Sequence, residues 1–344
     1  MLLSIVIFSL VFLLSASMTY KLIHLFRATD LVDVPNERSS HKVLTPKGGG
    51  LSIVILTLIA LVVLSLNHHE NINFSISMIV GLIVIATTSF FDDIYNISIL
   101  KRVVLYGLAI FASIIILEPE QKIMIGNISV EFGSIAYVVY AIYIFWVLNL
   151  FNFMDGTDGY VAVQTLTTSI FSCLMLIGMV NVHESILLLV IFSSTLGFLV
   201  WNWAPAKIFM GDVGSCSLGF IFALFSIFTE SHGYLSISIW LILLSPFIGD
   251  ATLTLFKRVI SGETWYQAHN GHAYQKLYQL GMSHKKIALG LLAMNTFFVL
   301  PMAYYAQLNS EIEIYFLIAC YTIIGLIWVL ISRYHYKYKD GFNT

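Results

Sequence analysis

The sequence predicts an all-α fold, a polytopic bundle of transmembrane helices with its N-terminus outside and its C-terminus in the cytoplasm. Three observations carry that expectation. Of 344 residues, 58% are hydrophobic and only 10% are charged, with a mean hydropathy of +0.88, whereas soluble domains carry about 25% charged residues. A chain of this length could bury a large core, but it lacks the charge to cover that core with a water-facing surface, so lipid must be its outer solvent. The apolar residues fall in runs close to the ~20 needed to cross a bilayer. The basic residues gather on one side of those runs, as cytoplasmic segments do.

Reading apolar runs between polar breaks gives about eleven spans, over 2–25, 49–66, 75–91, 102–117, 134–151, 159–180, 185–203, 213–229, 235–256, 286–306 and 313–332. Length support is weakest for 49–66 and 102–117. The first run could pass for a secretory signal, because Ser15-Ala16-Ser17 resembles a cleavage site. Such signals begin with positive charge. Here Lys21 and Arg27 follow the apolar run and none precedes it, so a retained first span is expected.

Alternating from an outside N-terminus makes 26–48, 92–101, 152–158, 204–212, 257–285 and 333–344 the inside segments. Sixteen of the 17 Lys and Arg lie in or within a few residues of them, Lys122 being the exception. The outside loops carry Glu70, Glu118, Glu120, Glu131, Glu184, Glu230, Glu311 and Glu313 instead. No linker, soluble domain or repeat interrupts the pattern. The expectation is a single integral-membrane domain over 1–344, with a large cytoplasmic loop at 257–285 and a cytoplasmic tail at 333–344. Cys173, Cys216 and Cys320 lack metal or redox spacing and read as packing thiols.

Most remaining acidic residues sit in five inner segments, where charge beside an apolar run is costly and often functional. Asp92 and Asp93 end the third span. Adjacent carboxylates repel unless a cation neutralises them, and Mg²⁺ binds a few carboxylates together with substrate phosphates. One Asp could also orient or deprotonate an attacking group; a solvated span-end cap is the alternative. Lys101 and Arg102 follow closely enough to pair with these aspartates or with phosphate.

Asn149 and Asn152 share a helix face at the end of the fifth span. Asp155 and Asp158 follow at the same spacing, with Gly156 and Gly159 allowing close backbone approach. A calcium loop starting at Asp155 would need Glu at its twelfth position, where Leu166 stands. A polar inter-span turn is the other reading. Asp212, in Phe209-Met-Gly-Asp-Val-Gly-Ser215, opens the eighth span. It suits either a helix cap or amides that hold phosphate or metal.

In the long inner loop, His269 and His272 can face one way, as phosphate donors or proton shuttles or as an ordinary surface pair. They lack the further ligands zinc would want. The loop also holds Lys257 and Arg258. The first inner loop runs from Asp33 through Pro35, Asn36, Glu37, Arg38, Ser39, Ser40, His41 and Lys42 to Lys47-Gly48-Gly49-Gly50. Its amides at a helix start could take an anion; plain positive-inside anchoring is the alternative. All five clusters fall on one face under a topology derived from Lys and Arg alone. Acidic clusters amid basic loops suit a metal-bound diphosphate substrate.

Taken in order, DVPNERSSHKVLTPKGGG, FFDD, NLFNFMDGTDG, FMGDVGS and HNGHAYQ, set between hydrophobic spans, resemble the polyprenyl-phosphate N-acetylhexosamine-1-phosphate transferases (MraY/WecA type, glycosyltransferase family 4). The resemblance covers roughly residues 1–332. The first and last motifs look most like the branch that initiates O-antigen and capsule. The resemblance implies that undecaprenyl phosphate attacks the β-phosphate of a UDP-N-acetylated sugar, UMP leaves, and a polyprenyl-diphosphate sugar forms for lipopolysaccharide or other cell-surface synthesis.

It also implies Mg²⁺, with Mn²⁺ as a substitute, held by Asp212 with help from Asn152. Asp92 and Asp93 would lie at the lipid phosphate, Asp155 and Asp158 near nucleotide and sugar, and His269 and His272 near the diphosphate. Asn149, Lys47, Lys101, Arg102, Lys257 and Arg258 complete the expected substrate contacts. A multi-pass place in the bacterial cytoplasmic membrane, an active site on its cytoplasmic face and a homodimer follow from the same likeness; no nucleic-acid partner is expected. Relatives commonly carry Arg between the two His, where this chain has Asn270, which leaves Lys257, Arg258 or Lys276 to replace it. The competing class is an ion- or proton-coupled transporter. Transporters place ionisable residues near the midplane, often in repeated halves; here mid-span charges are nearly absent and no repeat is seen.

Overall fold

In the computed structural model, residues 2–29, 31–33, 43–67, 71–126, 128–177, 182–264 and 269–340 are described. The chain is a helical bundle. In order it forms α1 (Leu2–Ala28), α2 (Leu51–Asn67), α3 (Ile72–Tyr95), α4 (Ile99–Leu117), α5 (Ile135–Phe153), α6 (Tyr160–Leu176) and α7 (Val182–Asn202). There follow α8 (Asp212–Ser231), α9 (Ile237–Leu243), α10 (Ser245–Ile260), α11 (Ala273–Gln279), α12 (His284–Met294), α13 (Leu300–Leu308) and α14 (Glu313–Asp340). A π-helical turn, Asn295–Val299, joins α12 to α13. Two small hairpins pair β1 (Val32–Asp33) with β2 (Thr45–Pro46) and β3 (Lys122–Ile125) with β4 (Ile128–Glu131). Helices dominate because lipid offers no partner for a free backbone group.

All eleven predicted runs are helical, but eleven membrane-length spans are not. Among the described residues eight helices are long and apolar enough to cross, or nine if α9 and α10 form one span bent by 80°. The remaining two, α2 and α6, have 17 residues each, about 25 Å at 1.5 Å per residue. Thr, Ser and Gln crowd α6, and most of that helix is buried against protein. It therefore need not match the lipid thickness. The run expected at 102–117 extends back to Ile99 and reaches 19 residues.

The centre of the bundle is α8, buried at every position from Val213 to Glu230. That explains an apolar run without one-sided periodicity. Gly219 lets α8 approach α5 closely, since a Cβ there would stand 2.7 Å from Leu148 Cα. The small-residue run in α1 has a packing role: the Ser15 hydroxyl donates to Ser194 O (2.6 Å), and Gly197 of α7 lies against Ser15 and Ala16. Small residues allow such close crossings in lipid.

Bending between α9 and α10, next to Pro246, frees carbonyls inside the bundle. Gln164 Nε2 donates to Leu243 O at 3.0 Å, and Tyr321 Oη donates to Leu241 O at 3.0 Å. Asn295, at the π-helical turn, donates to Gln164 Oε1 (3.0 Å) and Thr167 Oγ1 (2.7 Å). Replacing Gln164 by Leu should leave Leu243 O and Asn295 short of partners. We expect a loss of about 1–3 kcal/mol, read as a lower thermal midpoint in detergent; an unchanged midpoint would show that the bend is held by other contacts.

The end of α8 away from Asp212 carries the acidic loops. Among the described residues, three of the predicted outer glutamates, Glu184, Glu230 and Glu313, are buried. Glu230 accepts from Met124 N (2.6 Å) and Ile237 N (2.7 Å), and Glu313 accepts from Ser236 Oγ (2.6 Å) and Gly126 N (3.3 Å). They hold the β3–β4 hairpin, which carries Lys122, to the bundle. Of the two predicted polar segments, 257–285 holds α11, and 333–340 continues α14.

Candidate functional site

At the other end of α8 the motifs converge. Helix α3 stops at Asn96, a left-handed residue (φ 49°) whose N–H donates to Asp92 O at 2.9 Å. Asp92 and Asp93 therefore occupy its last turn and diverge. Asp92 Oδ2 accepts from Arg102 of α4 at 2.6 Å. Buried Asp93 lies 3.4 Å from Lys47 Nζ and accepts from Val213 N at 3.4 Å. Each carboxylate thus has its own cation, which removes the mutual repulsion anticipated for the pair.

Because Asp93 takes an amide from the first turn of α8, Asp212 is not consumed as the cap of its own helix. Its carboxylate instead accepts from Asn152 Nδ2 (3.0 Å) and lies 3.5 Å from Arg102 Nη1. The triple glycine corrects another expectation. Gly49 N donates to Phe209 O and Gly50 N to Met210 O, both at 2.9 Å, so these amides are not offered to an anion. They sew the start of α2 onto the segment leading into α8. Positions 34–42 of the first inner loop lie outside the described residues.

Two cavities meet here. The smaller, about 280 Å³, is polar; Asp33, Asp93, Asp155, Asp158 and Asp212 line it with Lys47. The larger, about 690 Å³, is mostly apolar and runs between α4, α5 and α10, with Arg102, Asn149, His269 and His272 in its wall. Asn152, Asp155, Gly156 and Gln275 line both and form the seam. Gly156 leaves room for Tyr274, whose hydroxyl donates to Phe153 O at 3.0 Å. Asn149 is turned back to Phe145 O at 2.7 Å.

Burial, then the charges of Asp212, Asp93 and Asp158, push the Asp155 carboxyl well above its ordinary range. The polar cavity thus gathers five carboxyl groups about one lysine, a crowding that a bound cation would relieve. Among the described residues no three His, Cys, Asp or Glu side chains form a closed metal cage. Mg²⁺ commonly takes one or two carboxylates and completes its shell with waters and phosphate. The open, all-oxygen set of Asp212 and Asn152 fits that habit.

His269 and His272 stack with centroids 4.9 Å apart in the loop before α11, not on a surface helix. Burial, then His272 and Arg258, lower the His269 pKa to about 4, so at neutral pH it is an uncharged donor or acceptor. Asp250 of α10 fixes this corner: Oδ1 accepts from Ala273 N (2.8 Å) and Oδ2 from Tyr274 N (3.4 Å).

Four cations considered from the sequence, and Asn270, line neither cavity. Lys101 is exposed. Lys257 donates to Tyr336 Oη (2.6 Å), Arg258 pairs with Glu263 (2.7 Å), and Lys276 donates to Ser332 Oγ (2.9 Å). Lys257 and Lys276 tie α10 and α11 to α14. Tyr106 and His284 belong to the site or its support without having been singled out from the sequence, and Asp250, Tyr274 and Gln275 stood in the long inner loop's cluster without a role of their own. Tyr274 and Gln275 stood within a quoted motif, and Asp250 was a lone acid in an apolar run. Tyr106 gave no local signal.

A sequence profile of glycosyl transferase family 4 matches residues 75–230, which include every aspartate of the polar cavity except Asp33. The chain is similar to a probable undecaprenyl-phosphate N-acetylglucosaminyl 1-phosphate transferase of Bacillus subtilis (strain 168), 30% identical over 266 residues, 75% of this chain and 72% of the relative. It is also similar to a decaprenyl-phosphate N-acetylglucosaminephosphotransferase of Mycobacterium leprae, 27% identical over 298 residues, covering 76% and 73%. A phospho-N-acetylmuramoyl-pentapeptide-transferase of Oceanobacillus iheyensis is 26% identical over 235 residues, covering 64% and 70%.

Proposed function

The chain belongs to glycosyl transferase family 4, and from that premise we propose that it transfers an N-acetylhexosamine-1-phosphate from its UDP-sugar to undecaprenyl phosphate. The observation that carries this reading is the seam. A carboxylate-rich polar cavity opens onto a long apolar one across Asn152, Asp155, Gly156 and Gln275. A nucleotide sugar suits the first and a lipid phosphate the second.

In the reaction a lipid-phosphate oxygen bonds to the β-phosphorus, and the bond from that phosphorus to the bridging oxygen breaks. The oxygen and its electron pair leave with UMP. Such transfers need positioning and charge neutralisation more than covalent help from the protein. Arg102, which lines the apolar cavity within 3.5 Å of Asp212, and Lys47, beside Asp93, supply cations for the lipid phosphate. Asp155 and Asp158 face the nucleotide and sugar, and His269 and His272 donate to the diphosphate. Asp212 and Asn152 would hold Mg²⁺, which when bound neutralises charge on the diphosphate. Lys101, Lys257 and Arg258 have no part in this arrangement.

The reading places the site at the cytoplasmic interface of the inner membrane, on the side of the basic segments. Its product would be the first lipid-linked sugar of a cell-surface polysaccharide, such as O-antigen or capsule. Purified protein given Mg²⁺, undecaprenyl phosphate and a panel of radiolabelled UDP-N-acetylhexosamines should yield lipid-linked sugar and UMP in equal amounts. EDTA should stop the reaction and Mg²⁺ restore it. Failure with every donor, together with solute flux in proteoliposomes, would replace the transferase with a transporter.

A further inference from the structure

His284 opens α12, with the Ser283 hydroxyl accepting from Lys286 N at 3.4 Å. It is far in sequence from every aspartate motif. Its ring nevertheless reaches the polar cavity's wall: Nδ1 lies 3.1 Å from Asp158 Oδ2. The same oxygen accepts from Ala206 N at 3.0 Å. With two donors on Oδ2, Oδ1 is the oxygen left to accept from a ligand in the cavity that Asp158 lines.

The tautomer follows from the contacts. A bare Nδ1 lone pair 3.1 Å from a carboxylate oxygen would be repelled, so Nδ1 carries the proton and donates to Oδ2. The Asp158 N–H also points at Nδ1, at 3.4 Å, a longer contact that yields to the charge-assisted one at 3.1 Å. Nε2 is buried and meets no hydrogen-bond partner among the described residues. Tyr278 of α11 packs on that ring, centroids 4.9 Å apart. His284 thus joins the α11–α12 segment to the aspartate at the entrance of α6.

We propose that His284 is a positioning residue for nucleotide-sugar recognition: it locks the Asp158 carboxylate so that Oδ1 accepts from an N–H or O–H donor of a UDP-sugar in the polar cavity. The inference rests on the transferase reading. His284 touches no reacting atom, so its effect belongs in donor binding and not in the phosphoryl step. An aspartate released from His284 keeps its charge and loses its fixed direction.

The test compares His284→Ala with His284→Asn, whose Nδ2 can stand where Nδ1 stood. In steady-state assays the alanine variant should raise KM for the UDP-sugar roughly tenfold, the scale of one charge-assisted hydrogen bond, with kcat within about twofold. His284→Asn should recover most of that loss. KM for undecaprenyl phosphate should stay unchanged in both. In ¹⁵N-histidine spectra, the His284 signal, identified by its loss in His284→Asn, should report a protonated, hydrogen-bonded Nδ1 that shifts in Asp158→Asn.

An active wild type with unaltered donor KM in His284→Ala overturns the positioning role alone. So does an alanine variant whose loss falls on kcat, or one that asparagine fails to rescue. A wild type inactive with every donor overturns the transferase reading, while the spectra still report whether His284 and Asp158 are coupled.

Discussion

Asp212→Asn is expected to lower kcat by about 100- to 1,000-fold, the scale seen when one electrostatic stabiliser is removed from an active site. The substitution isolates charge because the side-chain shape is kept. Its amide oxygen can still accept from Asn152 Nδ2, which stands 3.0 Å from the native carboxylate. The helix start does not depend on Asp212, since Asp93 takes the Val213 amide. Stability should therefore hold while turnover falls, and a Mg²⁺ titration should show weakened activation by the metal. Asp93→Asn would be a poorer probe, because it weakens the cap of α8 and the partner of Lys47 together. Near-normal turnover in Asp212→Asn would sink the assignment of metal binding to this carboxylate.

The aspartates could be found in the sequence because the physics that makes them costly is local. A carboxylate beside an apolar run stands out in any window, so Asp92, Asp93, Asp155, Asp158 and Asp212 all surfaced; four of them line the polar cavity, and Asp92 pairs with Arg102 of the apolar one. Pairings depend on which helix ends meet, and no window reports that. Lys257 and Arg258 sit in a basic loop as plausibly as Arg102 does, yet Tyr336 and Glu263 claim them. His284 stands at the first position of α12 and gives no sign that Asp158 waits 126 positions earlier.

The helices were legible as hydropathy, but which of them are long enough to cross was not. The buried α6 pairs Gln164, Thr167, Thr168 and Ser172 within the protein, so its composition answers to neighbouring helices and not to the bilayer. The glycines misled for a related reason. Gly-rich sequence before a helix reads as an anion cradle, but free amides and amides already paired to a second segment look identical in one dimension.

That pairing supports the second large prediction, Gly50→Ala. A Cβ on Gly50 would overlap Gly214 Cα and approach Gly214 N at 2.9 Å; the reciprocal Cβ on Gly214 would stand 2.8 Å from Gly50 Cα. These obstacles are backbone, which cannot rotate away as a side chain can. Overpacking of a well-filled site costs about 1–3 kcal/mol, and this one should fall at the upper end. The strain also has a direction. Relief requires the start of α2 to move off the start of α8, stretching the Gly49–Phe209 and Gly50–Met210 hydrogen bonds. Lys47 would move with it, away from Asp93, while Asp93 remains tied to α8.

A displacement near 1 Å at a reacting centre can lose about 100-fold in rate. We therefore expect Gly50→Ala to lower both the thermal midpoint in detergent and kcat/KM, the latter by roughly 10- to 100-fold. The control is Gly107→Ala in α4, where an added Cβ meets nothing within 4 Å and Ala is the better helix former. That variant should keep full activity and lose no stability. If both alanine variants behave alike, the contact between the two helix starts does not hold the site together. The spacing of Lys47, Asp93 and Asp212 must then be set from α3 and α4.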